Sequence, residues 1–383
     1  MNTFNDYLGE YVHLLITHDQ DIDQWTDLFD QALENWDIPL AQRLLREAKQ
    51  HELLVTAQII VRQAEGKLAS QKGELTYAIQ CLHSSLLLLE KQNNLDLLLI
   101  NYSQLGMLLR AHGEPQLAYE YHKRQLQLAI NNDLVDWCMD AYRELGFDAY
   151  ELGDLSRAEE MLEYGLELAV THEDKARLYN VTGLVAWQRG NLQKALNNFN
   201  EALSNFEAKG DFYQANQARA NLGNIYYESG DIEEAFDHYT MAMETFNHMG
   251  VIFDKIGILN NLGGIAVKHA DYQKADRYFE ESLNLAIEIG DRIGQQNALI
   301  NLGVTAMQQG EYSKSLTNYQ QALMLAREIG NHDTLRQIYK KMSRVEFIWS
   351  LESLRMYFKS QKEISMKMVL SHCIKSISYF MKS

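Results

Sequence analysis

Glycine recurs at a fixed period along this chain, and the period limits the possible folds more than any other feature. The phrases NLGNIYYESGD, NLGGIAVKHAD and NLGVTAMQQGE set Gly223, Gly263 and Gly303 at equal intervals along the chain. Towards the N-terminus Gly183, Gly146, Gly106 and Gly66 continue the series, the step from Gly146 to Gly183 being slightly shorter than the rest. Twelve residues after each glycine comes a small side chain: Ala78, Ala118, Ala158, Ala195, Ala235, Ala275 and Ser315. Four further on the side chain is mostly large, as at Leu162, Phe199, Tyr239, Phe279 and Tyr319. A weaker first copy has Phe29 in place of the glycine and keeps Trp25, Ala41 and Ala48. A fixed period of this kind marks stacked units, each too small to bury its apolar face without a neighbour.

Composition says what the units are made of. Only 2 of the 383 residues are proline, far below the ordinary ~5%. Proline is what helix interiors exclude, so the expectation is an all-helical chain. Seventeen of the 22 glycines fall at repeating phases, where they read as close helix contacts or helix ends. None forms GxxxxGK[ST] or a strand-following GxGxxG, so nucleotide binding has no support.

The pattern resembles the tetratricopeptide repeat, a helix pair with a small residue at position 8, Ala at 20, an aromatic at 24 and Ala at 27. Counting from seven residues before each position 8 gives repeat starts at 22, 59, 99, 139, 176, 216, 256 and 296, covering residues 22–335. The repeats are longer than the common unit of this family and lack the proline usual near position 32. Both departures resemble the long-helix subclass of kinesin light chains, LGN-type adaptors and bacterial peptide-pheromone receptors. The resemblance implies an all-α, right-handed superhelical solenoid of about eight helix-pair repeats with capping helices. Residues 1–21 are expected to form an N-terminal cap through Phe4, Tyr7, Leu8 and Tyr11. Residues 336–383 are expected to hold a degenerate ninth repeat and basic, apolar capping helices. There Phe347, Leu351, Leu354 and Phe358 share one helical stripe that best suits covering the last repeat, with docking on a partner chain or on a membrane surface as the alternatives.

Catalytic chemistry is not legible. No HExxH, GxSxG, paired CxxC or kinase signature is present. The run His18-Asp19-Gln20-Asp21-Ile22-Asp23 lacks the central glycine and the twelfth-position Glu of a calcium loop, and reads as an acidic helix start. We therefore expect no catalytic residue, no metal and no cofactor. Cys81, Cys138 and Cys373 have no CxxC spacing and suit a reducing compartment. The first residues lack the basic and apolar regions of a signal peptide, and no apolar run approaches the ~20 residues of a membrane span. The expectation is a cytoplasmic protein.

Function is then expected on the face that the first helices turn inward. Positions 2, 5, 6, 9, 12 and 13 share one side of a helix by i, i+3, i+4 spacing. Position 6 is Asn221, Asn261 and Asn301 in three successive repeats, with Gln104 earlier. Position 5 adds Asn180 and Asn260, position 2 adds Arg177, Gln217 and Asn297, and position 9 adds Asn224. Tyr150, Trp187 and Tyr227 stand at position 12. Asn is a poor helix former, so its repetition inside helices asks for a reason. A carboxamide both donates and accepts, and so can hold the backbone of an extended peptide without demanding a sequence. Alternatively, these amides bond within or between helices as part of the repeat. The earlier repeats differ, with Arg143, Glu144 and Phe147 at positions 5, 6 and 9. That mixture suits recognition of side chains.

Charge narrows the partner. The net charge is −17, but residues 336–383 carry +7 and the remainder −24. An acidic body disfavours nucleic acid and favours a protein or peptide of basic character, including the tail of a second copy. The leading expectation is a non-enzymatic scaffold or adaptor that binds a peptide in the concave face. The alternative is a ligand-controlled receptor or regulatory subunit for a separately encoded effector, although the segment 1–21 before the first repeat is too short for a helix-turn-helix.

Overall fold

Helices follow one another in consecutive pairs, and the pairing follows from the glycine period. The computed structural model describes residues 22–34, 37–50, 53–92, 94–249, 251–329, 332–360, 371–372, 374–375 and 377–379. The expected N-terminal cap, most of the acidic run at 18–23, and Cys373 lie outside them, as do the side chains of Leu354 and Phe358. The described residues contain 17 long helices and no strand. The chain divides into two compact units, Met1–Asn198 and Phe199–Ser383.

Unit 1 holds α1 (Ile22–Glu34), α2 (Ile38–Ala48), α3 (Val55–Gln71), α4 (Leu75–Leu89), α5 (Leu95–Ala111), α6 (Pro115–Asn131), α7 (Val135–Glu151), α8 (Leu155–Leu168) and α9 (His172–Gln188). The division falls inside α10 (Leu192–Lys209). Unit 2 continues with α11 (Phe212–Ser229), α12 (Ile232–Met249), α13 (Ile252–Lys268), α14 (Tyr272–Glu288), α15 (Arg292–Gln308), α16 (Tyr312–Ile329) and α17 (His332–Ser360). Both prolines serve helix starts: Pro39 lies in the first turn of α2 and Pro115 in that of α6. There the missing N–H has no helical partner to lose.

From α3 onward, each first helix begins about one turn ahead of the repeat start read from the sequence, at 55, 95, 135, 172, 212, 252 and 292. The extra turn explains much of the excess length over the common repeat unit. Within a repeat the two helices meet at the position-8 glycine. A Cβ on Gly223, Gly263 or Gly303 would fall 2.7, 2.4 or 2.6 Å from a ring carbon of Tyr239, Phe279 or Tyr319. The aromatic at position 24 thus packs on the glycine of its own repeat, and only glycine lets the helices come so close.

Helix ends are set by glycine and aspartate together. Gly230 closes α11 at φ +95°. The equivalent phase in the next repeat is Ala270, which keeps the left-handed conformation at φ +57° despite its side chain. Asp154, Asp211, Asp271 and Asp291 then cap α8, α11, α14 and α15 by accepting first-turn N–H groups. Thr171 and Asp174 form a reciprocal capping box on α9.

The two described members of the expected C-terminal stripe do not lie on the side that α17 buries. Phe347 and Leu351 are 54% and 48% exposed, whereas Ile338, Met342 and Val345 are buried against α16 with Trp349 and Tyr379 packed beside them. Glu346, one turn on from Met342, is buried too and bonds His372. The covering face follows a polar residue that hydropathy alone assigns to solvent.

Candidate functional site

In unit 2, the amides at positions 5, 6 and 9 form bonded pairs between successive first helices. Asn261 of α13 donates from Nδ2 to Asn224 Oδ1 of α11 at 2.9 Å. Asn301 of α15 donates to Asn260 Oδ1 of α13 at 3.1 Å. Asn224 Oδ1 also accepts from the Tyr239 hydroxyl at 2.7 Å, so the ring that covers Gly223 reaches the ladder with its polar end. Asn260 is tied down further, donating to Ile256 O at 2.9 Å and to Ser282 Oγ at 2.8 Å. The bonds between helices that the sequence left as an alternative are therefore present. They also fix how each amide is turned. Asn224, Asn260, Asn261 and Asn301 remain half-buried rather than sealed, as does Asn221; Asn297 is exposed.

A second polar chain lies towards the start of the same helices. Tyr213 donates its hydroxyl proton to Asp254 Oδ2 at 3.1 Å, and Gln217 Nε2 lies 2.9 Å from the Tyr213 oxygen and 3.3 Å from Asp254 Oδ1. Burial and the neighbouring Asp254 carboxylate push the Tyr213 phenol up to about 12. Of this trio, sequence reading found Gln217 alone. Tyr213 and Asp254 occupy the added first turn, outside the repeat starts assumed. Their separation of about one repeat length was the available signal. Tyr227, at position 12, lies under the Lys268 ammonium, 3.8 Å from the ring centroid.

In unit 1 the same positions carry charge. Arg110 of α5 donates to Glu144 Oε2 at 2.7 Å and to Asp148 Oδ1 at 2.8 Å, both on α7. Its guanidinium also lies 4.4 Å from the Phe147 ring centroid. Arg143 pairs with Glu144 Oε1 at 2.8 Å and with Asp140. His122 of α6 is wholly buried, with Nδ1 2.5 Å from Asp148 Oδ2 and Nε2 3.3 Å from the Ser103 carbonyl oxygen. Burial would raise the Glu144 carboxyl, but Arg143 and Arg110 outweigh it and hold the group at about 2. The sequence placed Arg143 and Glu144 on an open recognition surface. Glu144 instead lies buried between helices, because the position-12 Arg110 of the preceding repeat reaches it. His122 was the missed cue: a polar residue at position 24, where other repeats have a large apolar or aromatic side chain.

The remaining residues singled out in unit 1 are dispersed. Tyr150 is half-buried, 5.9 Å ring to ring from Phe147. Arg177 is exposed and paired with Glu173 a turn earlier, while Asn180 and Trp187 are half-buried on α9. No group of three His, Cys, Asp or Glu side chains among the described residues is arranged to hold a metal, and no described helix is long and apolar enough to cross a membrane.

A family model for the tetratricopeptide repeat matches residues 137–208 and 254–328, and a second model of the same repeat matches 183–245. With the paired helices and the glycine register, these matches identify tetratricopeptide repeats within residues 137–245 and 254–328. Among curated proteins, sequence comparison finds no match. Among solved structures, the apo form of the quorum sensor NprR from B. thuringiensis is similar at a TM-score of 0.63 and 14% identity, over 84% of this chain and 92% of that one. Aspartyl phosphate phosphatase F from Bacillus subtilis gives 0.56 at 14% identity, over 95% and 93%. A Rap protein complexed with Competence and Sporulation Factor gives 0.53 at 14%, over 95% and 96%. Identities this low describe a shared fold.

Proposed function

We propose that this protein is a non-catalytic binding module that holds an extended polypeptide along α11, α13 and α15. The amide ladder carries the reading. Asn261 and Asn301 each give one N–H to the preceding repeat, and among the described residues neither side-chain oxygen nor second N–H has a partner. Donor and acceptor are thus pre-oriented at a spacing of one repeat, as recognition of a peptide backbone requires. The net −24 of residues 1–335 favours a ligand of basic character. Buried free thiols at Cys81 and Cys138 suit a cytoplasmic setting. No cofactor enters the reading.

The fold likeness to a quorum sensor and to a Rap protein bound to a factor favours a second, regulatory version, in which the bound peptide controls a separate effector. Both versions are tested by selecting binders from a random peptide library on the full chain, then measuring them against Asn261→Ala/Asn301→Ala. Sequence-tolerant binders weakened at least tenfold are the expected result. A library without binders, or affinities unmoved by the double substitution, would overturn the ladder as a binding surface. Small-angle scattering with a selected peptide separates the versions: the regulatory one requires a change in dimensions.

A further inference from the structure

A cavity of about 610 Å³ opens in unit 1 over the faces of α3 and α5. In unit 2, an aromatic ring at position 24 fills the space against the position-8 glycine. In the second repeat that residue is Leu82. A Cβ on Gly66 would be 3.3 Å from the nearest Leu82 carbon, against 2.4–2.7 Å at the ring-covered glycines. Leucine at this position can also pack tightly, as Leu162 does at 2.7 Å from a Cβ on Gly146, so the looser contact is particular to Leu82, which lines the cavity together with Gly66. Leu33, Leu82, Met107 and Leu108 give the cavity apolar walls, and Met107 is 39% exposed at its rim.

Its polar groups are few and specific. Gln71 donates from Nε2 to Leu33 O at 2.9 Å, which fixes the direction of its amide. Gln71 Oε1 and Gln104 Oε1 are shielded from water and accept no hydrogen bond. Lys67 is held by both oxygens of Asp30, at 2.9 and 2.8 Å, so its charge is already matched at the rim.

We propose that this cavity binds an uncharged, apolar stretch of polypeptide, with adjacent aliphatic side chains in the pocket and a backbone N–H donated to Gln104. The volume lies within the ~300–1,000 Å³ usual for ligand sites, enough for more than one side chain. A pure hydrocarbon would leave both glutamine oxygens unpaired, and an anion would find its only cation neutralised. Rotation about the soft terminal torsion of Gln104 turns its oxygen to an incoming donor. The proposal concerns unit 1 alone and does not depend on the amide ladder.

The test uses the full chain with methyl-labelled methionine, titrated with acetyl-Leu-Ala-Leu-amide and separately with toluene. The peptide is expected to shift the Met107 methyl signal saturably. Leu82→Phe, which places a ring in the cavity, is expected to weaken binding at least tenfold; should it fail to fold, Met107→Gln at the rim, followed by calorimetry because it removes the reporting methyl, is expected to do the same. Gln104→Met, similar in size but without the acceptor, is expected to weaken the peptide severalfold and leave toluene unchanged. Absence of a saturable shift, toluene affected as strongly as the peptide by Gln104→Met, or peptide affinity unmoved by a correctly folded cavity variant would overturn the proposal. So would peptide affinity lost in Asn261→Ala/Asn301→Ala, since that places the peptide on unit 2.

Discussion

Repeat position 6 is solved in two ways within one chain. In the fourth repeat, in unit 1, it is Glu144, buried and clamped by Arg110 and Arg143, with Asp148 and His122 completing a buried cluster between α5, α6 and α7. In unit 2 it is Asn261 and Asn301, neutral, half-buried and bonded to amides on the neighbouring helix. Buried charges need every partner, because removing one strands another in a poorly solvated place. Neutral amides tolerate a missing partner at the cost of one hydrogen bond. The first arrangement fastens helices together. The second links them and still leaves donor and acceptor capacity for a ligand.

The contrast breaks most sharply at Asp148. Asp148→Ala deprives both His122 and Arg110 of a partner, and should cost roughly 3–5 kcal/mol. Hydrogen-exchange mass spectrometry should find the loss of protection concentrated in α5–α7, and even loss in α13–α15 would contradict the comparison.

Acid should act in the same place. Glu144 is held at about 2 against an ordinary 4.5, so its stabilisation is complete above about 4.5 and disappears as pH falls from there towards 2. The shift corresponds to about 3 kcal/mol in order of magnitude. Exchange measured at pH 7 and pH 3 should show α5–α7 weakening more than the amide ladder.

Glycine contacts offer a smaller and graded comparison. Gly263→Ala puts a Cβ 2.4 Å from the Phe279 ring and should cost about 1–3 kcal/mol. Gly66→Ala meets Leu82 only at 3.3 Å and should cost less. Equal losses on thermal unfolding would mean that the contact distance at the glycine does not set the cost. The smallest effect is expected at Asn301→Ala, about 1 kcal/mol or less, since only one side-chain bond is lost and alanine's better helix propensity offsets part of it.

Helix class, repeat register and the amide positions were legible because they depend on period and on residue size. The extra turn was not, since Tyr213 and Asp254 look like ordinary surface residues until the helix is extended back to reach them. The charged cluster was missed for a related reason. Arg110 and Asp148 stand 38 residues apart, and nothing at either position alone shows that the other will be adjacent. Phe347 and Leu351 misled in the opposite sense: an apolar stripe was visible, and the helix turned a different side inward.

The pairing of each position-8 glycine with a side chain further along its own repeat also bears on how the chain acquires its shape. Gly223 with Tyr239, Gly263 with Phe279 and Gly303 with Tyr319 each close a short loop, and none needs a distant segment in order to form. Contacts so near in sequence require little loop-closure entropy and favour rapid folding. A helix pair can thus assemble soon after its own repeat leaves the ribosome, and each finished pair offers the next one a surface on which to grow.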